Sequence, residues 1–146
     1  FMQNFYLGHE FKTDVIQLKF SGSLTPCSCG ESECLGSLES AAAAFVTASA
    51  RTLGISNSDL SSSVQRFSTG DNYINIFDTT PGGIGLTLAI SERLSEILRV
   101  AVQLTIECPN CREDSSCYAC LRSYSNQRRH DHLVREKARS VLLSLL

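Results

Sequence analysis

Cys108, Cys111, Cys117 and Cys120 follow the spacing Cys-x2-Cys-x5-Cys-x2-Cys. A Cys-x2-Cys pair can turn so that both sulfurs face one point, and two such pairs supply the four thiolates of a tetrahedral zinc site, with metal–sulfur distances of about 2.3 Å. Pro109 and Asn110 suit the tight turn between the first two ligands. Thiolate softness also accommodates an iron–sulfur cluster, and two disulfides or four free thiols are the remaining alternatives. The reading adopted is one Zn2+. A closed four-thiolate set leaves no open coordination position, so the ion is expected to be structural and not hydrolytic.

A second, looser group is Cys27, Cys29 and Cys34. It can supply three ligands of another metal site, with His9 as a fourth. The alternative is a solvent-facing insertion carrying free thiols. Seven cysteines is an odd number, whereas a secreted disulfide framework usually uses an even set. No basic segment followed by an apolar stretch opens the chain, and no apolar run approaches the roughly 20 residues needed to span a bilayer. A reducing, cytoplasmic setting without membrane contact is therefore expected. The first residue is Phe1, which is read as the start of a piece cut from a longer protein.

Around and after the four cysteines, Tyr118, Arg122, Tyr124, Arg128 and Arg129 join Asn126 and Gln127 in a mixture of aromatic, amide and basic groups. Such a mixture suits single-stranded DNA through base stacking and phosphate contacts; the alternative is a set of hydrogen bonds bracing the cysteine knuckle. Charge is unevenly spread. Residues 1–107 carry 6 Lys/Arg against 11 Asp/Glu, and residues 108–146 carry 7 against 4. A basic surface from Arg122, Arg128, Arg129, Arg135, Lys137 and Arg139 is compatible with phosphate contact and equally with a solvated helix face. His130-Asp131-His132 is read as a helix start, with Asp131 as the N-cap. No nucleophile stands beside a base, and no paired carboxylates form a readable site. A thiol redox role for one Cys-x2-Cys pair is disfavoured, because Cys108 follows the C-terminal end of an expected helix, where thiolates are not stabilised.

The elements that must position these residues follow from periodicity. Residues 14–20 alternate, with Ile16, Leu18 and Phe20 on one face, and predict a strand. Residues 21–36 are rich in Gly and Ser and predict a loop. Ser37 can cap a helix to Leu53, stopped by Gly54. After a polar stretch at 56–63, residues 64–67 and 73–77 predict two strands of a hairpin. Asp78-Thr79-Thr80-Pro81-Gly82-Gly83-Ile84-Gly85 then reads as a strand-to-helix turn. A tight packing turn capped by Asp78 is preferred there over an anion site at the helix start. One long helix over 84–107, the knuckle at 108–120 and a last helix over 131–146 complete an α+β domain. Residues 1–146 are expected to form one domain, a small sheet packed by helices with a C-terminal four-cysteine zinc knuckle.

Four strings, in this order, carry a family resemblance: Gly8-His9-Glu10-Phe11-Lys12-Thr13-Asp14-Val15; Leu53-Gly54-Ile55-Ser56-Asn57-Ser58-Asp59-Leu60; Phe77 through Gly85; and Cys108-Pro109-Asn110-Cys111 with Cys117-Tyr118-Ala119-Cys120-Leu121-Arg122-Ser123-Tyr124. Together they resemble the C-terminal zinc-binding domain of the mitomycin repair factor A family. Those proteins are superfamily 2 DNA helicases with a role in DNA repair, and related domains occur in anti-phage defence proteins. The resemblance implies that the four cysteines at 108–120 hold zinc, while Cys27, Cys29 and Cys34 fall outside the family's pattern. The sequence has no Walker A lysine and no Asp-Glu box, so the resemblance places the helicase motor elsewhere in the parent chain or in a separate partner. It implies an accessory role, bracing that motor and guiding DNA. A stand-alone protein-interaction subunit of a repair or defence complex is the runner-up.

Overall fold

The computed structural model describes residues 8–20, 31–67 and 70–146, with the side chains of 31–34 left aside. Strands β1 (Val15–Phe20), β2 (Leu60–Arg66) and β3 (Asn72–Asp78) form an antiparallel sheet in the order β1-β3-β2. Val15 pairs with Phe77 on one side of β3, and Leu60 pairs with Asp78 on the other. Alternation sends Leu18 and Phe20 of β1 and Ile74 and Ile76 of β3 into the core. Val15, Gln17 and Lys19 face outward and are exposed. β2 runs further back than expected and takes in Ser61–Ser63, part of the polar stretch. At a sheet edge those serines cost little, and the Ser63 hydroxyl accepts a bond from the Asn75 amide at 3.3 Å.

Helix α1 (Glu31–Leu53) lies across the sheet. It buries Leu38, Ala41–Ala44, Phe45, Ala48 and Ala50, residues on more than one of its sides. A helix buried on several sides is a central element, and its alanines let neighbouring backbones approach closely. The expected loop is therefore wrong at its C-terminal end: residues 31–36 are helical, and Cys34 lies on α1. Gly36, inside the helix, faces the His132 carbonyl oxygen, which sits 3.4 Å from where a Cβ would be. Tertiary packing there outweighs glycine's poor helix propensity.

The single helix expected over 84–107 is two helices, α2 (Leu86–Glu92) and α3 (Leu94–Ile106). They break at Arg93, whose φ of −114° leaves the helical region. Its guanidinium donates to the Thr52 carbonyl at the end of α1 (2.8 Å) and to Glu96 (2.9 Å). The break lets α2 sit against β3 while α3 packs on α1. The expected last helix is also shorter. Residues 124–132 form a 3-10 segment, and α4 spans Arg135–Leu143. Asp131 is not its N-cap. The buried Ser40 hydroxyl of α1 instead accepts from Val134 N–H at 2.9 Å and donates to the Gly36 carbonyl at 2.6 Å, so a residue 94 positions away sets where α4 begins. Ala138, Val141 and Leu142 close the core against α1 and α3. No helix among the described residues is long and apolar enough to cross a membrane.

Candidate metal centre

Helix α3 delivers the chain to Cys108, and after the 3-10 segment the start of α4 returns to bond the Glu113 and Ser115 carbonyls between Cys111 and Cys117, so the four cysteines lie where two packed helices meet. Their sulfurs all lie within 4.8 Å of one another. Cys108–Cys117, Cys111–Cys120 and Cys117–Cys120 are separated by 3.6, 3.7 and 3.8 Å. A tetrahedron with metal–sulfur bonds of about 2.3 Å has sulfur–sulfur edges of about 3.8 Å. The cluster thus has the dimensions of a zinc tetrathiolate, and its separations are far too long for disulfides, at about 2.05 Å.

The turn after Cys117 is wound by its own backbone. The Cys117 carbonyl accepts from the N–H groups of Cys120, Leu121 and Arg122 at 3.0–3.2 Å. The Cys117 N–H donates to Cys120 Sγ at 3.2 Å. Cys120 and Leu121 are 1% and 0% exposed and belong to the hydrophobic core, whereas the other three cysteines are half-buried. Arg51 of α1 donates to the Ala119 carbonyl at 2.6 Å and ties the knuckle to the central helix.

Without metal the thiols hold their protons unevenly. Burial pushes the Cys108 thiol up, but the Asn110 backbone and the neighbouring thiols outweigh it and bring Cys108 down to about 7. Burial, reinforced by the other thiols, pushes Cys111 up to about 12. Burial also raises Cys120. Four thiolates crowded this closely need a cation among them.

The MrfA Zn-binding domain family matches residues 41–121, more than half of the 146 residues. The chain belongs to that family. Its cofactor is one structural zinc ion, matched by the four-sulfur cluster. Two solved structures share the fold of this MrfA Zn-binding domain. One is the DUF1998 helicase MrfA bound to DNA, with 22% identity and a TM-score of 0.62 over 84% of this chain and 16% of that one. The other is the same helicase bound to DNA and AMPPNP, with 24% identity and a TM-score of 0.56 over 88% of this chain and 15% of that one. The chain therefore spans about a sixth of the helicase it resembles. No curated protein matches it.

The other candidate residues are dispersed. Arg122 is drawn back onto the knuckle, where its Nε donates to the buried Ser116 hydroxyl at 3.0 Å. Arg129 lies 3.8 Å from Glu39, and Arg139 lies 3.3 Å from Glu113. Tyr118 stands edge-on to the His130 ring at 5.4 Å but remains 63% exposed, and Tyr124 is 84% exposed. Arg128 is exposed. Asn126 braces the segment, accepting from Ser123 N–H at 2.8 Å and donating to the Leu121 carbonyl at 2.9 Å. Cys27 and Cys29 lie outside the described residues, as does the Cys34 side chain. His9 is exposed and stacks on Phe11.

The glycine turn is a packing device. Asp78, fully buried, accepts from the N–H groups of Ile84 (2.7 Å) and Leu86 (3.3 Å), so its own carboxylate occupies donors that an anion would need.

Arg135 was expected on a basic surface and is 2% exposed instead. The signal was present: Arg135, Ala138 and Leu142 stand at i, i+3 and i+7, on the core-facing stripe of α4.

Proposed function

We propose that this domain is a zinc-braced accessory domain of an ATP-dependent DNA helicase, with the motor carried in the same parent chain or by a partner subunit. The observation that carries the reading is the closed set of Cys108, Cys111, Cys117 and Cys120 at the junction of α3 and α4, in a chain that covers about a sixth of a DNA-bound helicase. All four are the proposed zinc ligands, and a filled tetrahedron leaves no place for substrate. The ion's work is then mechanical: it holds the end of α3, the core residue Leu121 and the start of α4 in one rigid corner against the motor.

The exposed aromatic rings of Tyr118 and Tyr124 beside Arg128 are the proposed strand-guiding contacts, through base stacking and phosphate pairing. Arg122 and Arg129 contribute less, because each is already engaged by the protein. Repair and anti-phage defence are both settings for such a helicase. The test is titration of single-stranded DNA onto the isolated domain and its parent helicase across a salt series. Guidance requires affinity that falls with salt and drops about tenfold in a Tyr118→Ala/Tyr124→Ala double variant, the order expected for losing a stacked base at roughly 1–3 kcal/mol. Binding that the double variant leaves unchanged would reduce the domain to a brace.

A further inference from the structure

Arg135 is a fully ionised group in the wrong place for a surface cation. Its side chain is 2% exposed and is among the largest fully buried in the protein. Arginine stays protonated in proteins, so the charge cannot be shed on burial. Yet among the described residues no carboxylate pairs with it. Nη1 donates to the Cys111 carbonyl at 2.9 Å and Nη2 to the Ile106 carbonyl at 2.7 Å. Nε has no partner. Carbonyl oxygens satisfy protons but carry no net charge, and a buried unpaired ion is strongly unfavourable.

The missing counter-charge is close at hand. Nη1 lies 3.9 Å from Cys111 Sγ. Four thiolates around Zn2+ leave a net charge of about −2 on the cluster. The start of α4 faces the same way: Arg135 N–H donates to the Ser115 carbonyl and Glu136 N–H to the Glu113 carbonyl, both at 3.1 Å. The positive end of the helix thus abuts the loop between Cys111 and Cys117.

We propose that Arg135 is the charge partner of the zinc tetrathiolate and the residue that positions Cys111, so that metal occupancy and the docking of α4 are one event. The inference rests on the zinc reading above. With zinc bound, the guanidinium offsets half of the cluster's charge while its fork clamps the end of α3 to Cys111. With zinc absent, nothing fixes the four-thiolate cluster and its charge of about −2 beside the guanidinium, and the start of α4 loses that anchor. Groups that support a metal ligand from behind typically alter metal affinity by about 10–100-fold.

The test compares Arg135→Lys and Arg135→Met in the chain as it stands, with zinc affinity read by competition against a chromophoric chelator. A charge partner predicts wild type above Lys above Met, with the Met variant weaker by about 10–100-fold. In the cobalt-loaded protein the thiolate-to-metal charge-transfer band should move in both variants. A mere packing role predicts Met above Lys, because methionine fits an apolar site better than lysine, and an unmoved band. Met binding zinc as well as Lys does would overturn the proposal. Should the variants fail to fold, the wild-type protein still decides: zinc loading must shift the Arg135 guanidinium resonances and slow their proton exchange, and unchanged resonances reject the idea. A wild-type chain that takes up no zinc overturns both this inference and the reading beneath it, whereas zinc uptake with equal affinities in all three proteins rejects the role of Arg135 alone.

Discussion

Replacing Cys120 with serine should be the most damaging single-atom change in the knuckle. Cys120 is 1% exposed and sits beside the fully buried Leu121, while the other three sulfurs are half-buried. A structural zinc is worth about 10–16 kcal/mol in small domains, so one ligand's even share is about 2.5–4 kcal/mol. The serine hydroxyl left in the core, with no water able to reach it, costs roughly another 1–3 kcal/mol. The sum, about 3.5–7 kcal/mol, is comparable with the lower part of the stability range of an ordinary domain, about 5–15 kcal/mol. At roughly 2–4 °C per kcal/mol for a domain of this size, the melting temperature should fall by at least about 7 °C. Cys108→Ser should cost less, because water can enter a half-buried ligand position. The assay is thermal unfolding by circular dichroism with zinc content measured on the same samples. A Cys120→Ser protein that keeps one zinc per chain and melts within about 2 °C of wild type would refute the reasoning, since a ligand share of even 1 kcal/mol would move it by about 2–4 °C.

Ser40→Ala should cost about 1–3 kcal/mol, because it strands the Val134 N–H that Ser40 accepts at 2.9 Å inside the fold; denaturant unfolding measures it, and hydrogen exchange should show the loss concentrated at the start of α4. Gly83→Ala should destabilise by roughly 1–2 kcal/mol or more, since φ is +72° and Asp14 Oδ2 would lie 2.7 Å from the new Cβ; the thermal midpoint reads this, and an unchanged midpoint would show that the Asp78–Gly85 turn is not locked. Zinc affinity should fall as pH falls. In the metal-free fold Cys111 is pushed up to about 12 and Cys120 is raised, so at neutral pH zinc must expel at least these two protons. Proton competition then weakens binding by about 100-fold or more for each pH unit lost, measurable by chelator competition between pH 8 and 6; a pH-independent affinity would mean the sulfurs are not the ligands.

Much of the molecule follows from local chemistry. The Cys-x2-Cys pairs bend on themselves, so their type and spacing name a four-sulfur metal site before any fold is known. The alternation at Ile16, Leu18 and Phe20 marks a strand by itself, and an acid followed by three glycines in four positions marks the turn that Asp78 caps. Other features depend on atoms distant in sequence. Arg93 breaks a continuous apolar stripe because the end of α1 offers it a carbonyl. Ser40 moves the start of α4 from 131 to 135, because no side chain near residue 134 caps that end. Gly36 stays helical within a buried central helix, with the His132 carbonyl oxygen 3.4 Å from where a Cβ would be. Arg135 reads as one more surface cation along a basic helix until the fold turns it beneath Cys111. Periodicity and spacing report what a residue does with its near neighbours. Whether a charge ends in water or beside a metal cluster is decided only when helices from opposite ends of the chain close on each other.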